Sequence, residues 1–207
     1  MMPDFLSAGP ADASTTLLLA HGAGAPMDSA WMNAIAEKLA EQQVRTVRFE
    51  FGYMAARREG QRKPPPRGET LMPEYVAAVE GLGAKGKLFI GGKSLGGRVA
   101  SMVAEGLFHD GKIAGLVCLG YPFHPPGQSD KLRTKHLESL DVTALICQGT
   151  RDPFGTREEV TKYGLSRSIE MFWLEDGDHD FKPRKPYSLD GHLSHAAEKI
   201  GKWATET

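Results

Sequence analysis

Residues 88–98 have the sequence Leu88-Phe89-Ile90-Gly91-Gly92-Lys93-Ser94-Leu95-Gly96-Gly97-Arg98. The three large apolar residues followed by glycines predict a short buried strand that ends in a sharp turn. Apolar residues then recur at helical spacing, which predicts a helix over residues 94–108. The segment is therefore predicted to be a strand, a turn and a helix, with Ser94 at the turn.

The turn contains the pattern G-x-S-x-G, which is typical of a nucleophile elbow. A serine on so tight a turn needs neighbours without side chains, and Gly92 and Gly96 meet that need. The backbone N–H of Leu95 would then face a developing oxyanion. One alternative is a phosphate-binding P-loop, but Lys87 stands where that motif has its first glycine. A plain glycine-rich turn without chemistry is the other alternative.

The composition is that of a globular domain with a sizeable core: 207 residues, 41% hydrophobic and 25% charged. The net charge of −1 does not favour nucleic acid or a membrane as partner. Cys118 and Cys147 lie in apolar runs without metal or redox spacing, so we expect buried thiols, with a disulfide between neighbouring strands as the less favoured alternative. The N-terminal stretch has no basic leader and no apolar run of membrane length, so we expect a soluble, cytoplasmic protein.

Strand and helix patterns alternate along the chain. Strands are predicted over residues 15–21, 44–51, 88–92, 113–123, 144–148 and 169–174. Helices are predicted from a cap at Asp28 to about residue 42, over residues 71–82, 94–108 and 131–140, from a capping box of Thr156 and Glu159, and at the C-terminal end. This alternation predicts an α/β fold, a mostly parallel sheet of about six strands with helices on both faces. We expect a single domain over residues 1–207, with a loose lead-in over residues 1–13. The fourth and fifth strands are joined by only about 20 residues, too few for an inserted lid, so we expect an open cleft.

Three polar side chains follow three predicted strands: Ser94, Asp152 and His179. Parallel strands end at one edge of a sheet, where ligands bind. A serine is a weak nucleophile until a base accepts its proton, and the base needs a carboxylate to orient it. The order Ser, Asp, His is also that of the α/β-hydrolases.

Each of these residues has a structural alternative. Asp152 precedes Pro153 and would suit a turn. His179 lies among the acidic residues of 176–180, which would suit a solvated loop or, less well, a metal cluster. The other histidines break the expected chain order or, like His192 and His195, are predicted on the polar face of the last helix.

The chain resembles small α/β-hydrolases of the dienelactone-hydrolase-like kind. Within these it is similar to the branch grouped with testis-expressed protein 30 and the KANSL3-type proteins. The residues that carry the resemblance are 19–24, 49–54, 64–66, 91–98, 149–154 and 177–179. One departure is Gly52, where we would expect proline before Tyr53 in this branch.

The resemblance implies Ser94 as nucleophile, Asp152 as acid and His179 as base. It also implies an oxyanion hole from the backbone N–H groups of Leu95 and Ala23. We expect the substrate cleft to be lined by residues of these same motifs: His21, Gly22, Gly24, Tyr53, Lys93 and Phe154. No metal or organic cofactor is expected.

The predicted function is hydrolysis of a small carboxylic ester or thioester by a serine hydrolase. Because some relatives are subunits of larger assemblies, the alternative is a hydrolase-fold interaction module with vestigial activity. The basic loops 57–67 and 182–186 leave strand ends, so we expect them either to form a positive rim that attracts an acidic substrate or partner, or to be merely solvated.

Overall fold

A seven-stranded sheet forms the centre of the computed structural model, which describes residues 4–61 and 63–207. The strands are β1 (Phe5–Ala8), β2 (Thr15–Ala20), β3 (Arg45–Phe49), β4 (Lys87–Lys93), β5 (Gly115–Leu119), β6 (Ala144–Gly149) and β7 (Ile169–Leu174). Their order across the sheet is β1-β3-β2-β4-β5-β6-β7. Every neighbouring pair is parallel except β1 and β3, which are antiparallel.

Helices cover both faces of this sheet. They are α1 (Ala30–Glu41), α2 (Gly52–Arg58), α3 (Gly68–Leu82), α4 (Leu95–His109), α5 (Arg157–Val160) and α6 (Leu189–Glu206). Successive strand residues point to opposite faces, so Ile90 packs in the core under α3 and α4, while Phe89 packs in the core under α1 and α6. The predicted α/β architecture is confirmed.

The N-terminal residues differ from the expectation of a loose lead-in over residues 1–13. Residues 5–8 form β1, in which Phe5 lies opposite Phe49 of β3. Phe5 packs against the core, and the pairing satisfies backbone groups of β3 that would otherwise form an open edge. Four residues are too few to show a strand pattern in the sequence. Residues 1–3 lie outside the described residues.

Other elements differ in length from the prediction. α2 occupies residues that were expected to begin the basic loop, whose Arg62 lies outside the described residues. The helix expected over residues 131–140 is only a 3₁₀ turn at Lys135–Leu137. The side chain of Ser29, not that of Asp28, accepts the capping hydrogen bond of α1. The capping box of Thr156 and Glu159 is present at the start of α5.

The connection from β5 to β6 spans residues 120–143 and contains the 3₁₀ turn as its only helical segment. No inserted lid domain therefore lies among the described residues. The expectation of a minimal fold without a lid is confirmed.

The two cysteines are free and lie on opposite faces of the sheet. Cys118 packs towards α4, and Cys147 packs towards α1 and α6, so their side chains diverge although their strands are neighbours. The disulfide alternative is wrong for this reason. Burial raises the pKa of both thiols, that of Cys147 to about 12. Within the described part of the chain, no helix is both long enough and apolar enough to cross a membrane.

Candidate active site

Ser94 lies at the turn between β4 and α4, with φ 51° and ψ −114°. A positive φ is strained for a residue with a side chain. The turn is held by a hydrogen bond from the Ser94 N–H to the Leu119 carbonyl (3.0 Å). A Cβ atom at Gly92 would lie 2.6 Å from the Ala20 carbonyl oxygen, so only glycine fits there. The small neighbours that the sequence predicted are therefore required by close backbone contacts.

The structure brings the three predicted polar side chains into one line above the carboxyl ends of the strands. Nε2 of His179 lies 2.8 Å from Oγ of Ser94. Nδ1 of the same ring lies 2.8 Å from Oδ2 of Asp152. A carboxylate accepts a hydrogen bond, so the ring proton is assigned to Nδ1 and Nε2 is left to accept the Ser94 hydroxyl proton.

Asp152 is fully buried, and each of its oxygens has a donor. Oδ1 accepts from the Phe154 N–H (2.8 Å), and Oδ2 accepts from Nε2 of Gln148 (2.9 Å) as well as from His179. These bonds fix the carboxylate plane and compensate its burial. The contacts of Asp152 with His179 and Gln148 go beyond the role of a turn residue, which was the alternative from the sequence. The sequence analysis did not find the role of Gln148, because the residues of β6 do not show which partner a buried amide side chain contacts.

The acidic residues around His179 have partners other than a metal ion. Asp176 pairs with Arg184 and Arg151, and the hydrogen bonds from Arg184 hold its pKa well below the ordinary value. Oδ1 of Asp178 accepts two backbone N–H bonds, from residues 180 and 182. The described residues contain no group of three or more His, Cys, Asp or Glu side chains that could hold a metal ion.

The two residues implied for an oxyanion hole, Leu95 and Ala23, belong to different parts of the fold. Leu95 is the first residue of α4, whose initial N–H groups have no partner inside the helix. Ala23 lies in the loop after β2 and lines the cleft beside Ser94. Within the described residues, neither of these N–H groups donates to another backbone carbonyl. Both are thus free of a backbone partner there, and the oxyanion hole that the resemblance implies stays a prediction.

An open cleft of about 320 Å³ lies over Ser94 and His179. Of the residues predicted to line it, Gly22, Gly24, Lys93 and Phe154 do so. The lining residues that the sequence analysis missed are Ala25, Ser29, Trp31, Met32 and Asp180. The Phe154 ring centroid lies 4.2 Å from that of His179, so this ring covers the imidazole. Trp31 recurs with Ile35 and Leu39 at helical spacing, which indicates a packed helix face and not a cleft.

His21 and Tyr53 do not line this cleft but hold the loop behind it. Nδ1–H of His21 donates to the Gly22 carbonyl (2.6 Å), and its Nε2 accepts from the Phe51 N–H (3.2 Å). The Tyr53 hydroxyl donates to the Ala23 carbonyl (3.2 Å). Burial lowers the pKa of His21, which keeps the ring neutral as this pattern requires.

None of the described residues of the two basic loops lines the cleft. Arg58 is held by Asp28 and Glu50, and Arg184 is held by Asp176. Nε of Arg57 donates to a backbone carbonyl within its own loop. The charges of Arg58 and Arg184 are therefore paired with acidic residues outside the loops, and the positive rim stays a prediction.

A second serine and histidine pair lies outside the cleft. Oγ of Ser101 in α4 is 2.8 Å from Nε2 of His136. Ser101 is buried and donates to the Arg98 carbonyl (2.7 Å), and no carboxylate among the described residues pairs with His136.

The expected polar position of His192 is wrong: the ring is buried, and its Nδ1 bonds the Phe181 carbonyl (2.7 Å). Helical periodicity could not show this contact, since Phe181 belongs to the preceding loop.

Comparison with known proteins agrees with this architecture. A family model described as Alpha/beta hydrolase domain matches residues 13–205. The dienelactone hydrolase of Anabaena variabilis is 19% identical, with a TM-score of 0.72 over 100% of this chain and 99% of that chain. An alpha-beta serine hydrolase homologue from Coxiella burnetii is 21% identical, with a TM-score of 0.67 over 96% of this chain and 89% of that chain.

A third similar structure is a Xanthomonas campestris protein described as an a/b serine hydrolase without lid. It is 20% identical, with a TM-score of 0.67 over 96% of this chain and 89% of that chain. At these identities the likeness shows the fold alone.

Proposed function

The chain belongs to the Alpha/beta hydrolase domain family, and from this premise we propose that it is a serine hydrolase of small carboxylic esters or thioesters. One observation carries the proposal: the His179 imidazole bridges Ser94 and Asp152 with 2.8 Å on each side. A nucleophile, a base and an orienting acid at these distances are what acyl transfer through serine requires.

In the proposed first half-reaction, Oγ of Ser94 attacks the carbonyl carbon while its proton passes to Nε2 of His179. Asp152 keeps the ring in the required tautomer and stabilises the imidazolium. The C–O or C–S bond to the leaving group then breaks, and Nε2 returns the proton to the leaving alcohol or thiol. In the second half-reaction, water attacks the acyl-enzyme, with His179 again accepting and returning a proton, and releases the carboxylic acid.

The negative charge on the carbonyl oxygen would be stabilised by the N–H groups of Leu95 and Ala23. Both come from rigid positions, one from the start of α4 and the other from a loop held by Tyr53. Donors that are fixed before the reaction need no reorganisation when the charge develops. The start of α4 adds the positive end of a helix dipole.

The size and lining of the cleft favour a small substrate. A volume of about 320 Å³ is at the low end for ligand pockets, which span roughly 300–1,000 Å³. Trp31, Met32 and Phe154 give it apolar walls. We therefore propose short-chain or compact acyl groups, and we do not extend the proposal to anionic substrates, because Arg58 and Arg184 are paired with acidic residues of the chain.

The test is labelling with a fluorophosphonate probe together with turnover of p-nitrophenyl esters of increasing chain length. Ser94→Ala should lose both the label and turnover. Ser101→Ala is the matched control, because Ser101 also contacts a histidine but is buried away from the cleft. Labelling retained in Ser94→Ala refutes the nucleophile assignment.

Absence of labelling and of hydrolysis across the ester series would favour the interaction module instead.

We also propose, on the sequence motifs alone, membership of the testis-expressed protein 30 branch and a cytoplasmic location. Two free buried thiols suit a reducing compartment.

A further inference from the structure

We infer that Lys93 is a positioning residue, whose ammonium group fixes the backbone of His179 so that the imidazole meets Ser94. The inference deepens the proposed function and rests on it. Lys93 precedes the nucleophile in the chain, and its side chain crosses to the loop that carries the base.

The Lys93 ammonium contacts two consecutive residues of that loop. Nζ donates to the His179 carbonyl (2.8 Å) and forms an ion pair with Oδ1 of Asp180 (3.1 Å). Only 6% of Lys93 is exposed, although it carries a charge. A hydrogen bond from a charged donor is among the stronger contacts available to a backbone carbonyl. The bond therefore acts on the same residue whose ring must reach Ser94.

Trp31, in α1, makes a further contact with the loop that Lys93 holds, and we call these contacts of Lys93 and Trp31 with residues 179–180 the clamp. The Trp31 Nε1–H donates to the Asp180 carbonyl (2.8 Å), and its ring lies 5.5 Å from Nζ of Lys93. Gly120 makes room on the opposite side, because a Cβ atom there would lie 2.8 Å from the His179 carbonyl and 3.3 Å from Nζ. The carbonyl of His179 is thus enclosed by Lys93 and Gly120, and the next carbonyl by Trp31.

The loop needs such a clamp because it has no regular structure of its own. His179 lies between the end of β7 at Leu174 and the start of α6 at Leu189. A misplacement of about 1 Å in a reacting group costs roughly 100-fold in rate. Lys93 does not touch the reacting atoms, so its effect acts through the position of His179.

The ion pair with Asp180 gives little reason for a buried charge at this site. Removing one partner of an ion pair is strongly destabilising when it leaves the other charge buried and unpaired. Asp180, the partner here, is 69% exposed in its side chain. Removing Lys93 therefore leaves no buried charge, and a positioning role predicts a loss of rate that is much larger than the loss of stability, which a merely structural role does not.

The experiment compares Lys93→Met with the wild type and with Lys162→Met, an exposed lysine of the same chemistry. Lys93→Met should lower kcat by about 10- to 100-fold. KM should stay within about three-fold, and Tm should fall by only a few degrees, because the His179 carbonyl loses its donor. Lys162→Met should leave all three unchanged. A Lys93→Met protein with wild-type kcat, or one whose loss lies in KM, overturns the inference.

Chemical rescue provides a second arm. Lys93→Cys treated with 2-bromoethylamine forms a C–S bond with loss of bromide and regains an ammonium at lysine length. Cys118 and Cys147 are buried with raised pKa values, so they resist alkylation. Recovery of kcat in the modified protein supports the role, and modified protein without recovery overturns it. A wild type that neither labels nor turns over an ester refutes the proposed function instead.

Discussion

Replacing Asp152 with asparagine should separate the orientation of His179 from the fold around it. The change keeps the shape of the side chain but turns one carboxylate oxygen into an NH₂ group. Oδ1 accepts from the Phe154 N–H, and Oδ2 accepts from both His179 and Gln148. Every contact of the carboxylate is with a donor, so the amide NH₂ must face a donor in either orientation.

The effect on catalysis follows from the tautomer of His179. With the NH₂ group facing His179, Nδ1 must become an acceptor, and the ring proton moves to Nε2. That nitrogen, 2.8 Å from Ser94, can then no longer accept the hydroxyl proton. Loss of the tautomer in a serine triad lowers kcat by about 10⁴-fold. This equals roughly 5.5 kcal/mol of transition-state stabilisation, at about 1.4 kcal/mol for each ten-fold change.

The effect on stability should be smaller. One buried donor left without a partner costs about 1–3 kcal/mol. For a chain of this length, each kcal/mol lowers Tm by about 2–4 °C. Asp152→Asn should therefore remain folded at 25 °C.

The assay is kcat for the best p-nitrophenyl ester, with Tm measured on the same preparations. Asp141→Asn is the matched control, since it makes the same chemical change at an exposed carboxylate and should alter neither quantity. A folded Asp152→Asn protein that keeps more than a tenth of wild-type kcat would show that Asp152 does not orient the base.

Two further predictions concern the fold around the site. Gly96→Ala should lower the free energy of unfolding in urea by about 3 kcal/mol, because its Cβ would lie 2.6 Å from the Ala20 carbonyl carbon. Gly106→Ala, in the same helix, meets nothing within 4 Å and should raise that free energy by about 0.5–1 kcal/mol. Equal effects of the two substitutions would contradict this. The pKa of His21 is lowered in the folded protein, so the neutral ring contributes fully to the free energy of unfolding above pH 6.5. This contribution is lost as the pH falls, because the unfolded chain binds the proton first. The free energy of unfolding of the wild type relative to His21→Gln should decline below pH 6.5 by up to about 1.4 kcal/mol per pH unit, and a difference that stays flat from pH 7 to 5 would refute this.

The sequence alone determined the layout of the fold. Apolar runs and glycine turns are local signals, so the strand over Ile169–Leu174 and the elbow at Ser94 could be predicted from neighbouring residues. The rule that parallel strands end at one edge then placed Asp152 and His179 near Ser94. β1 was missed because its pairing with β3 depends on residues about 40 positions away, and no pattern within four residues encodes that.

The tertiary structure alone decided which polar groups meet and which face the cleft. Helical spacing marks Trp31 as a buried-face residue, but only the folded loop of His179 brings the Asp180 carbonyl to its indole N–H. His21 and Tyr53 were expected to line the cleft, but they lie behind it, because His21 accepts from the Phe51 N–H and Tyr53 donates to the Ala23 carbonyl there. Periodicity records which side of an element is apolar. A hydrogen bond depends on distance and angle between groups far apart in the chain, and these exist only once the chain has folded.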